Sequence, residues 1–500
     1  MATYYVRNDG SEGTWSSATG PESNAANCMS LSTHNAAAAL FSPDDEIIIS
    51  GLPVEDGGVF RGTLTIGSSG TSGHTIKYTG SNDPIFDGSI WVIGPWNDNG
   101  SNVWSIALTT DPTYLYIDGN FGDEKANTGE FADEYDWYWA SNVLYLRSTS
   151  DPWSLYDSIN AVHTSYGINN SGNSFLEFSY LETQNQASIG FLNHDCNDIT
   201  VHHCAVHDVG YGRPSDAGGG HGLVFNGSSN SHAYNNEIYR IHWDALCAWG
   251  LLPTVSASSG YLFEDNDCHH NEHNGIDIHT QGYGATISDI TIRRNLVRDS
   301  PTGNGIYGMC EYYSPDVNQI SDVKIYDNIV HSNYIMGIYL ARVNANDIPI
   351  TGAAVYNNTI VNNGSIGLLA VVVDSDFQNN IIQNNNTRVT LREVQIDDED
   401  GTANTFDYNL IFNDISGLST VVVWNDGYYS YANFVSTTEE NENGLNEDAD
   451  FTDENGGNYT LSSESPCIGV ANNLGSPYNI GVLPGASWPD SVTTGNRDNY

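Results

Sequence analysis

Asp277 and His279 stand two residues apart in the stretch EHNGIDIHTQ, Glu272–Gln281. In an extended chain alternate side chains share a face, so this carboxylate and this imidazole point the same way. An imidazole titrates near neutral pH and can take or give a proton. One repeat later Tyr307 falls at the place equivalent to Asp277, with Glu311 and Tyr312 at the end of the same segment and Arg342 in the segment after it. Tyr339 continues the column of Tyr307, and Trp249 precedes His279 in its own column. His221, His242, Asp244 and His273 fall in loops along the same edge. The set offers a base in His279, an acid in Tyr307 (the two roles can exchange), a further imidazole in His221 and a fixed cation in Arg342. Asp277, Glu311 and Asp244 offer oxygen donors for a hard cation such as Ca²⁺. Trp249, Tyr312 and Tyr339 offer flat faces on which a ligand ring can stack.

These residues are spaced by a repeat. Asn236, Asn266, Asn295, Asn328, Asn358, Asn380 and Asn409 recur every 22 to 33 residues. Three residues before each comes an apolar or small residue: Ala233, Phe263, Ile292, Ile325, Val355, Phe377 and Phe406. Two residues after each comes another: Ile238, Cys268, Val297, Val330, Ile360, Ile382 and Ile411. A small residue and an aliphatic one follow, as in Gly275-Ile276, Gly305-Ile306 and Gly337-Ile338. A period near thirty with three short alternating segments and no helical spacing predicts a solenoid of stacked coils, a right-handed parallel β-helix. Each strand pairs with its equivalent about 4.8 Å away. The Asn at each bend is expected to bond its own turn and the Asn above and below, which keeps buried polar groups satisfied. In the strand after each Gly, alternation sends Ile276, Ile306 and Ile338 inward. One outward column is then Val224, Cys247, Asp277, Tyr307, Tyr339 and Leu369, and the next is Asn226, Trp249, His279, Met309, Ala341 and Val371.

The composition narrows the function. Fifteen cationic residues against 62 acidic ones give a net charge of −47, and the only lysines are Lys77, Lys125 and Lys324. Phosphate contact needs Lys and Arg, so nucleic acid is excluded as a partner. No apolar run reaches the roughly 18 residues of a membrane span. The seven cysteines show no zinc-type spacing; Cys204 and Cys268 lie on inward rows and read as buried thiols, with one disulfide left open. No signal peptide is visible at Met1–Arg7, so the expected site of action is outside the cell or on a virion, reached after removal of a leader or by lysis.

The chain divides into an N-terminal cap and first coils (1–90), an aromatic-rich insert (91–162), the regular solenoid (163–415), C-terminal coils with closing strands (416–486) and a tail (487–500). Leu31–Phe41 is compatible with a capping helix over the first coil. YLYIDGN and DWYWASNVLYLRS read as antiparallel hairpins of the insert, and DADFTDENGGNYTLSSESPCIGV as a final pair of strands. Loops lengthen particular coils at Val209–Gly220, Gly250–Gly260, Glu311–Ser321 and Val343–Gly352.

The opening YYVRNDGSEGT, the SPDDEIIISG and IDGS steps, the Asn-bearing coils and the ending YTLSSESPCIGV…NIG resemble the right-handed β-helix proteins of the pectate-lyase-like superfamily over nearly the whole chain. The resemblance implies the same fold, a substrate groove on the outer face of the strand carrying Asp277 and His279, and a polysaccharide partner. That superfamily holds polysaccharide lyases, glycoside hydrolases, uronan epimerases and virus tail spikes, so the fold does not choose among them. Our reading is a lyase acting on an acidic, uronate-containing polysaccharide by β-elimination. His279 is the base and Tyr307 the acid; Arg342 or a Ca²⁺ on Asp277, Glu311 or Asp244 neutralises the uronate. Against the chain's net charge this reading also needs a bound cation or the basic group Arg293, Arg294, Arg298, Lys324 and Arg342 near the substrate, with Arg293, Trp249, Tyr312 and Tyr339 binding it. The alternatives are a hydrolase using Asp277 with Asp244, an epimerase, for which Asp277-Ile278-His279 loosely matches an Asp-Pro-His element, and an adhesin or tail spike that binds glycan without cutting it. The Gly218–Gly222 element GGGHG lacks the partner motifs it has in the superfamily's pectin hydrolases. The sequence leaves monomer and trimer open.

Overall fold

The computed structural model describes residues 2–52, 58–213, 218–250, 257–281, 284–311, 318–342, 349–388, 392–398, 404–414 and 421–471. The expected tail, Tyr312 and much of each lengthened loop fall outside them.

The chain winds as a right-handed parallel β-helix with three strands per coil. The first face stacks Tyr166–Ser171, Ile189–His194, His221–Asn226, Leu246–Gly250, Ile276–Gln281, Ile306–Glu311, Ile338–Arg342 and Leu368–Val373. The second face includes Ser229–Tyr234, Ala257–Glu264, Thr286–Arg293 and Gln319–Tyr326; the third includes Glu237–Ile241, Asp267–His269, Leu296–Arg298 and Ile329–His331. All of these pair parallel with the equivalent strand of the next coil. One apolar column fills the centre, with Ile276, Ile306 and Ile338 from the first strands, Phe263, Ile292 and Ile325 from the second, and Cys268, Val297 and Val330 from the third.

Each bend between the second and third strands has the same construction. A residue in the left-handed region reverses the chain: Asn235, Asp265, Arg294, Asp327, Asn357, Asn379 and Tyr408, with φ of 52° to 58°. The Asn that follows points inward. The Asn328 amide nitrogen donates to Ile292 O at 3.0 Å, Tyr326 O at 3.1 Å and Asn358 Oδ1 at 3.0 Å. Its oxygen accepts from the backbone and side-chain nitrogens of Asn295 at 2.9 and 3.0 Å. The same pattern runs from Asn236 to Asn409, whose backbone nitrogen donates to Asn441 Oδ1.

A second amide row, which the sequence reading did not include, lies five residues on, at the bend after the third strand. Asn333 donates to Asn363 Oδ1, Asn363 to Asn385 Oδ1 and Asn385 to Glu393 Oε2. Ser300 takes the place of an Asn in this row, and its backbone nitrogen donates to Asn333.

The small residue opening each first-face strand is required by packing. A Cβ at Gly275 would lie 2.2 Å from Val297 Cγ1, and one at Gly305 2.3 Å from Val330 Cγ1.

At the N-terminus the helix Leu31–Ala37 begins on Ser30, whose hydroxyl accepts from Thr33 N, and it buries His34 against Phe41. The aromatic-rich insert forms two antiparallel four-stranded sheets around its own core of Trp96, Leu115, Trp137 and Leu144. At the other end a helix at Tyr431–Thr438, absent from the sequence reading, buries Phe434 against Phe406 and Trp424. Phe451–Asp453 and Asn458–Leu461 form the expected closing pair. All seven cysteines are free and buried, so none is in a disulfide.

Candidate functional site

The first-face register brings the site residues together. Cys247, Asp277, Tyr307 and Tyr339 stack as one column, and Trp249, His279, Met309 and Ala341 as the next. Facing away from the core does not make all of them accessible. Trp249 folds over Asp277 and donates its indole N–H to Asp277 Oδ2 at 2.5 Å, and Asp277 is fully buried. Burial, and after it the charge of Asp244, push the Asp277 carboxyl up to about 7.

His279 lies between two carboxylates, with Nδ1 3.9 Å from Asp277 Oδ2 and Nε2 3.7 Å from Glu311 Oε2. Burial lowers the basicity of its imidazole, but Glu311 and Asp277 outweigh this and raise its pKa. Glu311 is held low in turn, first by His279, and accepts from Gln281 Nε2 at 2.6 Å. The Tyr307 ring stands 6.3 Å from His279, 6.4 Å from His273 and 5.3 Å from Tyr339. Burial, then the charge of Asp277, push the Tyr307 phenol well above its ordinary value. Beyond these rings Met309, Ala341, Ile366 and Leu369 form a buried apolar cluster, against which the half-buried Tyr339 packs.

Asp244 ends a third, short amide row. Asn304 Nδ2 donates to Asn274 Oδ1 at 2.9 Å, and Asn274 Nδ2 donates to Asp244 Oδ1 at 2.9 Å. A carboxylate only accepts, so it fixes the direction in which these amides point. His273 Nδ1 closes on the same oxygen at 2.6 Å, and His221 Nδ1 stands 3.6 Å from the other. Burial would raise the Asp244 carboxyl; the two histidines outweigh it and hold it far below the usual carboxylate range. Asp244 raises His273 in return, against burial, and this imidazole, with 40% of its side chain exposed, stands beside Tyr307.

Several expected partners lie elsewhere. Arg293 belongs to the second face, where its guanidinium meets Glu264 at 2.6 Å and Tyr326 at 2.9 Å; it does not join this site. Arg294 and Arg298 are held by Glu264, Asp265, Asp267 and Asp299, so with Arg293 three of the five residues of the expected basic group are taken up by neighbouring acids. Arg342 continues the column of Thr280 and Cys310, both buried, rather than that of His279. His221 packs edge-on against Trp249 at 4.5 Å and faces Asp244 rather than His279. Tyr312 lies outside the described residues. The set Asp277, Glu311 and Asp244 does not fit Ca²⁺, which takes six to eight oxygens. Asp277 is sealed beneath an indole, Glu311 is engaged by His279 and Gln281, and Asp244 by His273 and Asn274. His273 and the row Asn304–Asn274–Asp244 carry the electrostatics instead. The sequence signal was available in Asp244, Asn274 and Asn304, which are exactly one repeat apart.

Residues 167–352 match the family described as right handed beta helix region. No curated protein matches the chain. Among solved structures the chain is similar to XylC in complex with xylose (12% identity, 85% of this chain and 86% of that one, TM-score 0.51). It is also similar to pectate lyase Pel9A (16%, 96% of each chain, TM-score 0.44) and to the A-module of the Azotobacter vinelandii mannuronan C-5 epimerase AlgE4 (12%, 79% and 90%, TM-score 0.44). At these identities the likeness is one of fold, a right-handed parallel β-helix. No helix among the described residues is long and apolar enough to cross a membrane.

Proposed function

We propose that this right-handed parallel β-helix protein is a polysaccharide lyase, working outside the cell, that cuts a uronate-containing glycan by β-elimination on its first-strand face. The observation that carries the reading is His279 held between Asp277 and Glu311 with the Tyr307 ring alongside. His279 takes the C5 proton, the electron pair forms the C4–C5 double bond, and the C4–O bond breaks. Tyr307 protonates the departing oxygen. Its raised pKa keeps the phenol protonated, which supports the acid role over the base role. His273, whose pKa Asp244 raises, takes in its protonated form the neutralising part first assigned to Arg342 or a metal. Tyr339, half-buried at the edge of the apolar cluster, gives a sugar ring a face to stack on.

His279→Ala is expected to abolish release of ultraviolet-absorbing unsaturated product from uronate glycans, with circular dichroism unchanged. Because His279 is raised, activity should climb with pH along a limb above the ordinary imidazole value of about 6.5. Glu311→Gln should move that limb down. Normal product release by His279→Ala would end the proposal.

One observation favours a hydrolase as the second reading. Asp277 is pushed up to about 7 while Glu311 is held low, an acid and a base set apart by their surroundings, and the Trp249 indole that covers Asp277 must swing aside for the acid to reach a glycosidic oxygen. New reducing ends without unsaturation would select it. A changed uronate composition without cleavage would select an epimerase, and binding without either change an adhesin.

A further inference from the structure

Beside the His279 site lies a cluster with a different set of donors. His221 opens the strand His221–Asn226, Asp244 sits in the bend before Leu246–Gly250, and Cys247 lies within that strand. A ring nitrogen, a carboxylate oxygen and the thiol of these three all lie within 4.8 Å of one another, and no other such trio of His, Cys, Asp or Glu occurs among the described residues.

The two oxygens of Asp244 are treated differently. Oδ1 is closed in by His273 at 2.6 Å and Asn274 at 2.9 Å. Oδ2 stands 3.6 Å from His221 Nδ1, too far for a hydrogen bond. That separation is close to the roughly 3.3–3.5 Å between two donors that each lie about 2.0–2.1 Å from a tetrahedral Zn²⁺.

Cys247 is fully buried, yet it is not part of the main core that holds Cys204, Cys268 and Cys310. It packs in a separate outer cluster with Val224 and Trp249. Its register neighbour is Asp277, a wholly buried carboxyl whose Oδ1 has no hydrogen-bond partner. An unsatisfied buried oxygen at the edge of a nitrogen–oxygen–sulfur trio is costly unless a cation or a bound water meets it.

We propose that His221, Asp244 and Cys247 bind one divalent transition-metal ion of the zinc class, with a water in the fourth position that the uncommitted Oδ1 of Asp277 can accept from. The donor set selects the metal: Ca²⁺ and Mg²⁺ take oxygen, whereas imidazole and thiolate favour Zn²⁺, Co²⁺ and their neighbours. On binding, the thiol proton leaves to solvent and no redox change occurs. The ion would tie together two successive coils at the edge of the His279 site. The proposal does not depend on the lyase reading, because its readout is the metal and not turnover.

The test uses the full chain, refolded from denaturant with Co²⁺ so that burial does not block entry. One equivalent should be taken up, with visible d–d bands of tetrahedral intensity and a thiolate-to-cobalt charge-transfer band, both lost on adding Zn²⁺. Cys247→Ser should remove the charge-transfer band. His221→Ala should weaken uptake by more than the roughly 10–100-fold typical of an outer-shell partner. Cys268→Ala, in the main core, should leave the spectrum unchanged. Absence of stoichiometric uptake by the folded protein, or a band that survives Cys247→Ser, would overturn the site.

Discussion

Asn328→Ala isolates what one rung of the amide ladder contributes. The side chain is fully buried and makes five contacts of 2.9 to 3.1 Å, three donated and two accepted. Truncation takes one bond each from Ile292 O, Tyr326 O, Asn358 Oδ1 and Asn295 Nδ2, the last three of which keep another, and removes the bond of the Asn295 backbone nitrogen. At a net of about 1 kcal/mol per lost bond, with two of the donated contacts sharing one proton, the loss is about 4 kcal/mol. That places Asn328 among the most costly single polar substitutions. Asn328→Asp separates the accepting role from the donating one. The carboxylate still accepts from Asn295 but faces Asn358 Oδ1 and Ile292 O with nothing to donate. At neutral pH it should therefore be at least as destabilised as the alanine variant, and it should recover partly in acid as the carboxyl regains a proton. Urea unfolding followed by tryptophan fluorescence gives the stability, and amide exchange at Asn295 reports whether the opening is local to that coil. A loss under about 1 kcal/mol for Asn328→Ala, or wild-type stability for Asn328→Asp at pH 7, would refute the idea that the ladder holds the bends.

Two further predictions concern pH. His207 is buried between Glu182 at 3.1 Å and Asp208 at 2.6 Å; burial opposes its charge, but the two carboxylates win and raise its pKa to about 9. A folded-state value above the unfolded one means stability that is complete below about pH 6.5 and lost as pH rises through 9. His207→Gln should therefore cost stability at pH 6 and little above pH 10, measured by urea midpoints across the range. Glu393, which ends the second amide row, is raised by burial to about 7 despite accepting from Asn385. Its protonated form fits the fold better, so stability should fall as pH rises from the ordinary carboxyl range through 7. Glu393→Gln should flatten that slope, and an unchanged slope would place its origin elsewhere.

Much of the winding was legible because its signals are periodic. The Asn row, the apolar rows three before and two after it, and the two outward columns of the first face all follow from counting residues. Cover over a side chain is not periodic. Alternation sent Asp277 outward, but the indole of Trp249, one coil away, closes over it, and no count along the chain reports that contact. The same limit applies to Arg293, whose nearest acid, Glu264, lies one coil back on the second face. The second amide row was readable, since Asn271, Asn333, Asn363 and Asn385 each stand five residues after a ladder Asn, but Ser300 interrupts the pattern. The helix at Tyr431–Thr438 carried its own sign in Ser430, whose hydroxyl accepts from Asn433 N.

In the coils from Asn295 to Asn380, length varies chiefly at the corner after the first-face strand; elsewhere the chain also lengthens at the corner before that strand, between Val209 and His221 and between Gln383 and Val394. From Asn358 to Asn380 a full winding takes 22 residues, and from Asn295 to Asn328 it takes 33. In the short coil the first-face strand ends at Val373 and the next begins at Asp376; in the long one the strands end at Glu311 and resume at Gln319. The stretch between the two amide rows keeps its five-residue step throughout. Segments of foreign sequence grafted at the variable corner would therefore leave the stacking register untouched while reshaping the rim next to Glu311. The scaffold is divided into a part that counts and a part that is free to diversify.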